Sequence, residues 1–303
     1  MALPLNPDLR RRAFTQVATC YLTALAAAIA AGALTADQHV LLVIAAADVA
    51  ATLTVFAFSA ATRNASFYDP YWSVAPPLIA AWLWFDGAAS IDWRPALVML
   101  AIWVWAVRLT GNWARGWRGL DHVDWRYVEL KQKLGMFWMP VNLLGIHLMP
   151  TVLVYLGCLP LYAVLYAPAR PLNWLDLLAT VVTAAAIWIE TRADRELHAF
   201  RQSRQSSAQM LATGVWSWCR HPNYLGELGF WFGLFLFALA ASSNAWWTGT
   251  GIAAMVLLFA GISIPMQERK LTADKPDYVR WRKRSFALLP LSRFRKKLRP
   301  ETA

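Results

Sequence analysis

Charge is what this chain has least of. Only 16% of its 303 residues are Asp, Glu, Lys or Arg, against roughly 25% in soluble domains. Cysteine is scarce too: Cys20, Cys158 and Cys219 form no CxxC, which excludes a disulfide framework and a cysteine zinc site. His39, His147 and His198 show no metal-ligand spacing. The chain contains no internal repeat and no stretch that reads as a soluble domain. One loose dinucleotide pattern occurs, "GTGIAA" at Gly249–Ala254. It lies inside an apolar run with no strand before it, and the fingerprint works only as a strand–turn–helix. It reads as close helix packing, as do Gly229 and Gly233.

What the chain has is oil. Hydrophobic residues make up 58% of it, in runs long enough to cross a bilayer as helices. Eight are apparent: Phe14–Leu34, Val40–Ala60, Trp72–Phe85, Pro95–Thr110, Val141–Ala167, Leu172–Ile189, Leu225–Ala241 and Trp246–Gln267. The third is short and carries Pro76-Pro77; without it seven remain. The first run is long and is followed by further spans, unlike a cleavable leader. The pattern predicts an all-α polytopic membrane bundle, one integral membrane domain over 1–303 with a basic tail at 291–303.

The charges support this topology. With the N-terminus cytoplasmic, 27 of the 29 Lys and Arg fall on the inner side; only Arg94 and Arg170 lie outside. This is the positive-inside bias, and it puts both termini in the cytoplasm. The net charge of +11 then reflects topology and attraction to lipid headgroups, not nucleic acid. Many of the 18 tryptophans sit at run ends, where indoles anchor at the interface. The polar mass is confined to Gly111–Pro140, Arg192–His221 and the tail from Glu268, all on the inner side.

Carboxylates at membrane depth cost about 2.5–3.5 kcal/mol each and persist where they face a bundle interior. Asp48, Asp69, Glu190, Asp194, Glu227 and Glu268 are such groups. In "WIETRADRELHAFRQ" (Trp188–Gln202), Glu190, Asp194, His198 and Arg201 share a helix face about 80° wide. In "RLTGNWAR" (Arg108–Arg115), Arg108, Asn112 and Arg115 share another. In "RHPNYLGE" (Arg220–Glu227), Pro222 suits a first helical turn, and Arg220, Asn223 and Glu227 fall on one side. A helix N-terminus with free N–H groups beside Arg220 and His221 suits an anion; Glu227, one turn deeper, suits an amide or hydroxyl. Each face also reads as an interfacial helix end with solvated or snorkelling charges. Three together fit a cofactor with phosphates, ribose and a flat ring.

The chain resembles the bacterial steroid 5-alpha-reductase-like membrane proteins, related to steroid 5-alpha reductases and sterol reductases. The resemblance covers residues 66–290, through "YDPYWSVAPP" (Tyr68–Pro77), "RLTGNWARGWRGLDHVDWRY" (Arg108–Tyr127), "ETRADRELHAFR" (Glu190–Arg201), "RHPNYLGE" and "PDYVRWRKRSFALLP" (Pro276–Pro290). It implies NADPH bound from the cytoplasmic side and reduction of a carbon–carbon double bond conjugated to a carbonyl. The substrate would be a hydrophobic molecule entering from the bilayer among membrane lipids. The cofactor wall it implies includes Asn112, Glu190, Asp194, Arg201, Asn223, Tyr224 and Glu227; Arg108, Arg115, Arg220, His221 and Tyr278 are further candidate cofactor-binding residues. The acid that positions the substrate carbonyl falls at Asp69, beside Tyr68. The family's catalytic tyrosine falls at Trp105, which lacks a phenol, leaving Tyr68 or Tyr71 to supply the hydroxyl. The RHPxY segment and basic, Tyr-containing end also resemble isoprenylcysteine and phospholipid methyltransferases. An S-adenosylmethionine enzyme is therefore the alternative, with a non-enzymatic lipid-binding protein the third.

Overall fold

A computed structural model describes residues 7–87, 92–120, 123–168, 170–206 and 208–291. Ser90 and the tail residues 292–303 lie outside them. The described residues are mostly helical, with no strand among them, and seven helices are long and apolar enough to cross a membrane. This is an integral membrane helix bundle.

The chain resolves into two compact units. The first comprises Met1–Ala89 and Ile102–Tyr162. It contains α1 (Pro7–Leu34), α2 (Val40–Thr62), α3 (Tyr71–Asp86), the later part of α4 (Trp93–Gly116), α5 (Trp125–Leu134), α6 (Trp138–Val141) and most of α7 (Met149–Leu165). A π-helical turn, Asn142–Leu148, joins α6 to α7. Fully buried Phe67, Ile102 and Trp105 fill its core. Arg10 secures the end of α4 by donating to the carbonyls of Ala114 and Trp117.

The third apolar run is a helix, but at 16 residues α3 is too short to span on its own. The reason lies in the segment before it. After α2 the chain folds back along that helix: Asn64 N–H donates to Ser59 O, Phe67 meets Phe58, and Tyr71 OH reaches Asp48. Residues Asn64–Tyr68 and Pro70 are buried on this return path. The α3 helix thus begins level with residue nine of α2 and has less distance to cover. Pro76 and Pro77 lie within it, without ending it. The polar segment Gly111–Pro140 is largely helical: it contains the end of α4, then α5, capped by the Asp124 carboxylate.

The second unit comprises Ser90–Ala101 and Ala163–Ala303. It contains the start of α4, then α8 (Trp174–Ser203), α9 (Pro222–Ala241), α10 (Thr250–Leu258), a π-helical turn at Phe259–Ser263, α11 (Ile264–Asp274) and α12 (Pro276–Arg284). The close partnership is α8 with α9, which small residues make possible. A Cβ on Gly226 would come within 2.6 Å of Glu190 Cβ, and one on Gly233 within 2.1 Å of Thr183 Oγ1. Gly249–Ala254 runs from a 3-10 turn into α10, so the dinucleotide pattern has no strand here. Arg94 is buried rather than solvated. It grips Asp176 through Nε–Oδ1 (2.7 Å) and Nη2–Oδ2 (2.8 Å) and donates to the carbonyls of Arg170 and Pro171. Asp176 also completes the capping box of α8 with Asn173.

Candidate functional site

In the first unit, the return segment and α2 assemble a buried polar cluster inside an apolar bundle. Tyr68 and Tyr71 stack with ring centres 5.0 Å apart, 19° from parallel, yet serve different partners. Tyr71 OH donates to Asp48 Oδ1 at 2.5 Å. Tyr68 OH bonds to Thr151 Oγ1 at 2.7 Å, and Thr52 Oγ1 reaches the same oxygen at 2.7 Å. Thr151 Oγ1 also lies 2.9 Å from His147 O, so the hydroxyls of Thr52, Tyr68 and Thr151 form one hydrogen-bonded cluster. His147 is fully buried on the π-helical turn, with Nδ1 2.9 Å from Asn142 O and Nε2 3.0 Å from Ser59 Oγ. Its ring meets Tyr68 edge-on. Turns of this kind often mark functional positions in helices.

Asp69 has a separate environment. It is half-buried, and the phenol of Tyr127 donates to its Oδ1 at 2.8 Å. The three residues singled out for chemistry, Tyr68, Asp69 and Tyr71, thus divide: the two tyrosines share the cluster and Asp69 pairs with α5. Trp105 is fully buried.

A cavity of about 460 Å³ opens between α1, α2 and α3 of this unit. Its wall is almost entirely apolar; Asp48, Tyr71 and Tyr21 are its polar members. Asp48 is 6% exposed, and its Oδ2 has no hydrogen-bond partner among the described residues. Neither Tyr68 nor Asp69 lines this space. Motif reading passed over Thr52 and Thr151; it marked Asp48 only as a carboxylate at membrane depth and His147 only as a histidine without metal-ligand spacing. The only sequence signal for Asp48 and His147 is a charged or ring-nitrogen side chain inside an apolar run.

On α4 of the same unit, Arg108 and Asn112 are half-buried, and Arg115, in the last turn, is exposed.

In the second unit, the polar face of α8 grades from core to surface. Glu190 is buried, Asp194 half-buried, and His198 and Arg201 exposed. Pro222 opens α9 as N1, and His221 is the N-cap. Glu227 is buried and accepts from Trp231 Nε1 at 2.9 Å. Asn223 is half-buried, but its carboxamide oxygen is screened from solvent and accepts nothing among the described residues. Tyr224 stacks on His221, rings 11° from parallel, and touches Phe259.

Arg220 has a partner that its motif does not contain. Its Nε donates to Glu268 Oε1 at 2.6 Å, and its Nη1 reaches the carbonyls of Arg282 and Ser285. His221 Nε2 lies 3.3 Å from the same Glu268 oxygen, while Arg282 Nε takes Oε2 at 2.9 Å. Backbone N–H groups of Arg220 and His221 donate to the carbonyls of Phe286 and Ala287. Arg220 and His221 therefore fasten the C-terminal segment to the head of α9, with Glu268 as the hub. Tyr278 is buried on α12, and burial pushes its phenol above the usual range.

Residues 55–285 match the family described as "Protein of unknown function (DUF1295)". An uncharacterized protein of Schizosaccharomyces pombe is similar, 26% identical over 241 residues that cover 72% of this chain and 70% of that protein. No solved structure matches the chain. With the match spanning most of its length, this chain belongs to the DUF1295 family.

Proposed function

We propose that this protein is a membrane-embedded, NADPH-dependent reductase. Its reaction is reduction of a carbon–carbon double bond conjugated to a carbonyl in a hydrophobic, steroid-like or lipid-like molecule. The observation that carries the reading is the head of α9. Asn223 holds a solvent-screened carboxamide oxygen with no partner among the described residues, beside the N-terminus of a 20-residue helix and one turn above the buried Glu227. An acceptor left open there suits a donor from a ligand, such as an amide N–H or a ribose hydroxyl. The helix N-terminus suits a phosphate.

The residues fit the nucleotide as a donor and acceptor set. Asn223, Glu227 and Glu190 are the acceptors for its amide and hydroxyls. With Arg220 engaged by Glu268, the exposed Arg201 of the same unit is the candidate for its 2′-phosphate. When bound, NADPH supplies the hydride that goes to the β-carbon; a proton goes to the α-carbon, and the conjugated double bond becomes single. For the substrate, the chain must hold a hydrogen-bond donor against the carbonyl oxygen as negative charge gathers there and keep water away. Tyr68, Tyr71 and Asp69 are the candidate donors, with the apolar walls of the first unit supplying dryness. By the positive-inside bias the nucleotide enters from the cytoplasm.

One observation favours the competing methyltransferase reading. The RHPNY head and the C-terminal segment, the two features shared with isoprenylcysteine and phospholipid methyltransferases, are bonded to each other through Glu268. Purified protein in detergent should therefore be offered two reactions. One is NADPH oxidation with a panel of hydrophobic enones. The other is methyl transfer from S-adenosylmethionine to isoprenylcysteine and phospholipid acceptors. Enone-dependent NADPH oxidation is expected; methyl transfer without any NADPH turnover would overturn the reductase reading.

A further inference from the structure

From the α1–α2–α3 cavity we infer a binding site for an elongated apolar molecule carrying one ketone or alcohol oxygen at its end, and Asp48, held by Tyr71, is the residue that reads that oxygen. The volume, about 460 Å³, lies in the range of small-molecule sites, roughly 300–1,000 Å³. The wall is built by small and aliphatic side chains of three helices, among them Ala28, Ala47, Ala51, Ala75 and Ile79. The alanines create the space; larger residues there would close it.

The polar corner has unfinished hydrogen bonding. Tyr71 OH sits 2.5 Å from Asp48 Oδ1 and 3.1 Å from the Asp48 carbonyl, which fixes the carboxyl's orientation and satisfies one oxygen. The other, Oδ2, has no partner among the described residues although Asp48 is only 6% exposed. A buried polar atom left unmatched is costly, and water is a poor companion in so apolar a wall. A ligand oxygen meets the need: a hydroxyl donates to the carboxylate, and a ketone accepts from the carboxylic acid. The rest of the ligand must be hydrocarbon, because the wall offers almost nothing else. Asp69, where the family resemblance puts the carbonyl-side acid, is held by Tyr127 and does not line this cavity. The site thus shifts the oxygen-reading role from the return segment to α2.

This inference concerns binding and stands without nucleotide, so its failure and that of the reductase reading are separable. The test is equilibrium binding to the full chain in nanodiscs. The probes are a tritiated cyclohexenone bearing a long alkyl chain, the corresponding alcohol, and the alkylcyclohexane of the same length. At least one oxygenated probe should bind about tenfold or more tightly than the hydrocarbon, the worth of one well-placed hydrogen bond. Asp48→Ala should erase that difference by weakening the oxygenated probe alone. Asp48→Asn, which keeps the shape, should erase part of it, and Ala75→Phe should weaken all three probes. Equal binding of hydrocarbon and oxygenated probes would overturn the inference. So would binding indifferent to both Asp48→Asn and Ala75→Phe.

Discussion

The phenol of Tyr71, the first residue of α3, donates a 2.5 Å hydrogen bond to the carboxyl of Asp48, nine residues into α2. This contact sets how far the chain returns along α2 before α3 begins, and it is also the polar corner of the cavity. Tyr71→Phe removes the donor and strands a second oxygen of a buried carboxyl. It should lower stability by about 1–3 kcal/mol, read from unfolding in a detergent–SDS titration. Adding Asp48→Leu should recover part of the loss, since removing both partners is milder than removing one. A Tyr71→Phe protein as stable as the parent would show that the bond contributes nothing to the fold.

Arg94 and Asp176 form a buried ion pair, with side chains 5% and 3% exposed. Asp176→Ala should destabilise by about 3–5 kcal/mol, because it leaves a buried guanidinium uncompensated, and it also removes the α8 capping box. The double variant Arg94→Met with Asp176→Leu should be markedly less damaged than Asp176→Ala alone. If the two are equally unstable, the charge has no special part in the loss.

Glu268 gathers Arg220, His221 and Arg282. Glu268→Gln should loosen α12, so that its backbone at the already exposed Arg280, Lys283 and Arg284 opens more often to trypsin. Hydrogen bonds to charged groups are worth about 1.5–3 kcal/mol, so cleavage there should quicken by roughly tenfold or more where opening precedes cleavage. The sites within α5 should be unaffected. An unchanged digestion rate would mean that the backbone bonds to Phe286 and Ala287 suffice.

Cys219 is fully buried, and burial pushes its thiol up to about 11, partly offset by the His221 backbone N–H and by Arg220. The thiolate is the reactive form, so the folded protein at neutral pH should resist alkylation at this residue and label only after unfolding. Cys20 and Cys158 are buried too. That silence lets an introduced Ser243→Cys report topology; it should react with a membrane-impermeant maleimide from the non-cytoplasmic side. Labelling from the cytoplasm would reverse the orientation inferred from the charges.

The long helices were legible because their apolar runs exceed a bilayer's thickness, and the tight α8–α9 contact was marked by Gly229 and Gly233. Glu190 and Glu227, which are buried, were legible as candidate buried acids because a carboxylate at membrane depth persists where it faces a bundle interior. The start of α3 was not, because its level is set by partners 23 residues apart, Asp48 and Tyr71, and no local period records that distance. Arg220 illustrates the same limit. Its motif suggested an anion, whereas its partner Glu268 lies 48 residues downstream on another helix. The cavity left only a diffuse trace, alanines scattered over three runs.

The claim that this is a nucleotide enzyme rests on Asn223, and titration calorimetry tests it most directly. NADPH should be titrated into the purified wild-type protein and into Asn223→Ala, with S-adenosylmethionine as the comparison ligand. The account predicts saturable NADPH binding, weakened by about 1–3 kcal/mol in Asn223→Ala, and no binding of S-adenosylmethionine. No NADPH binding to the folded wild-type protein, or equal affinity in Asn223→Ala, would contradict it.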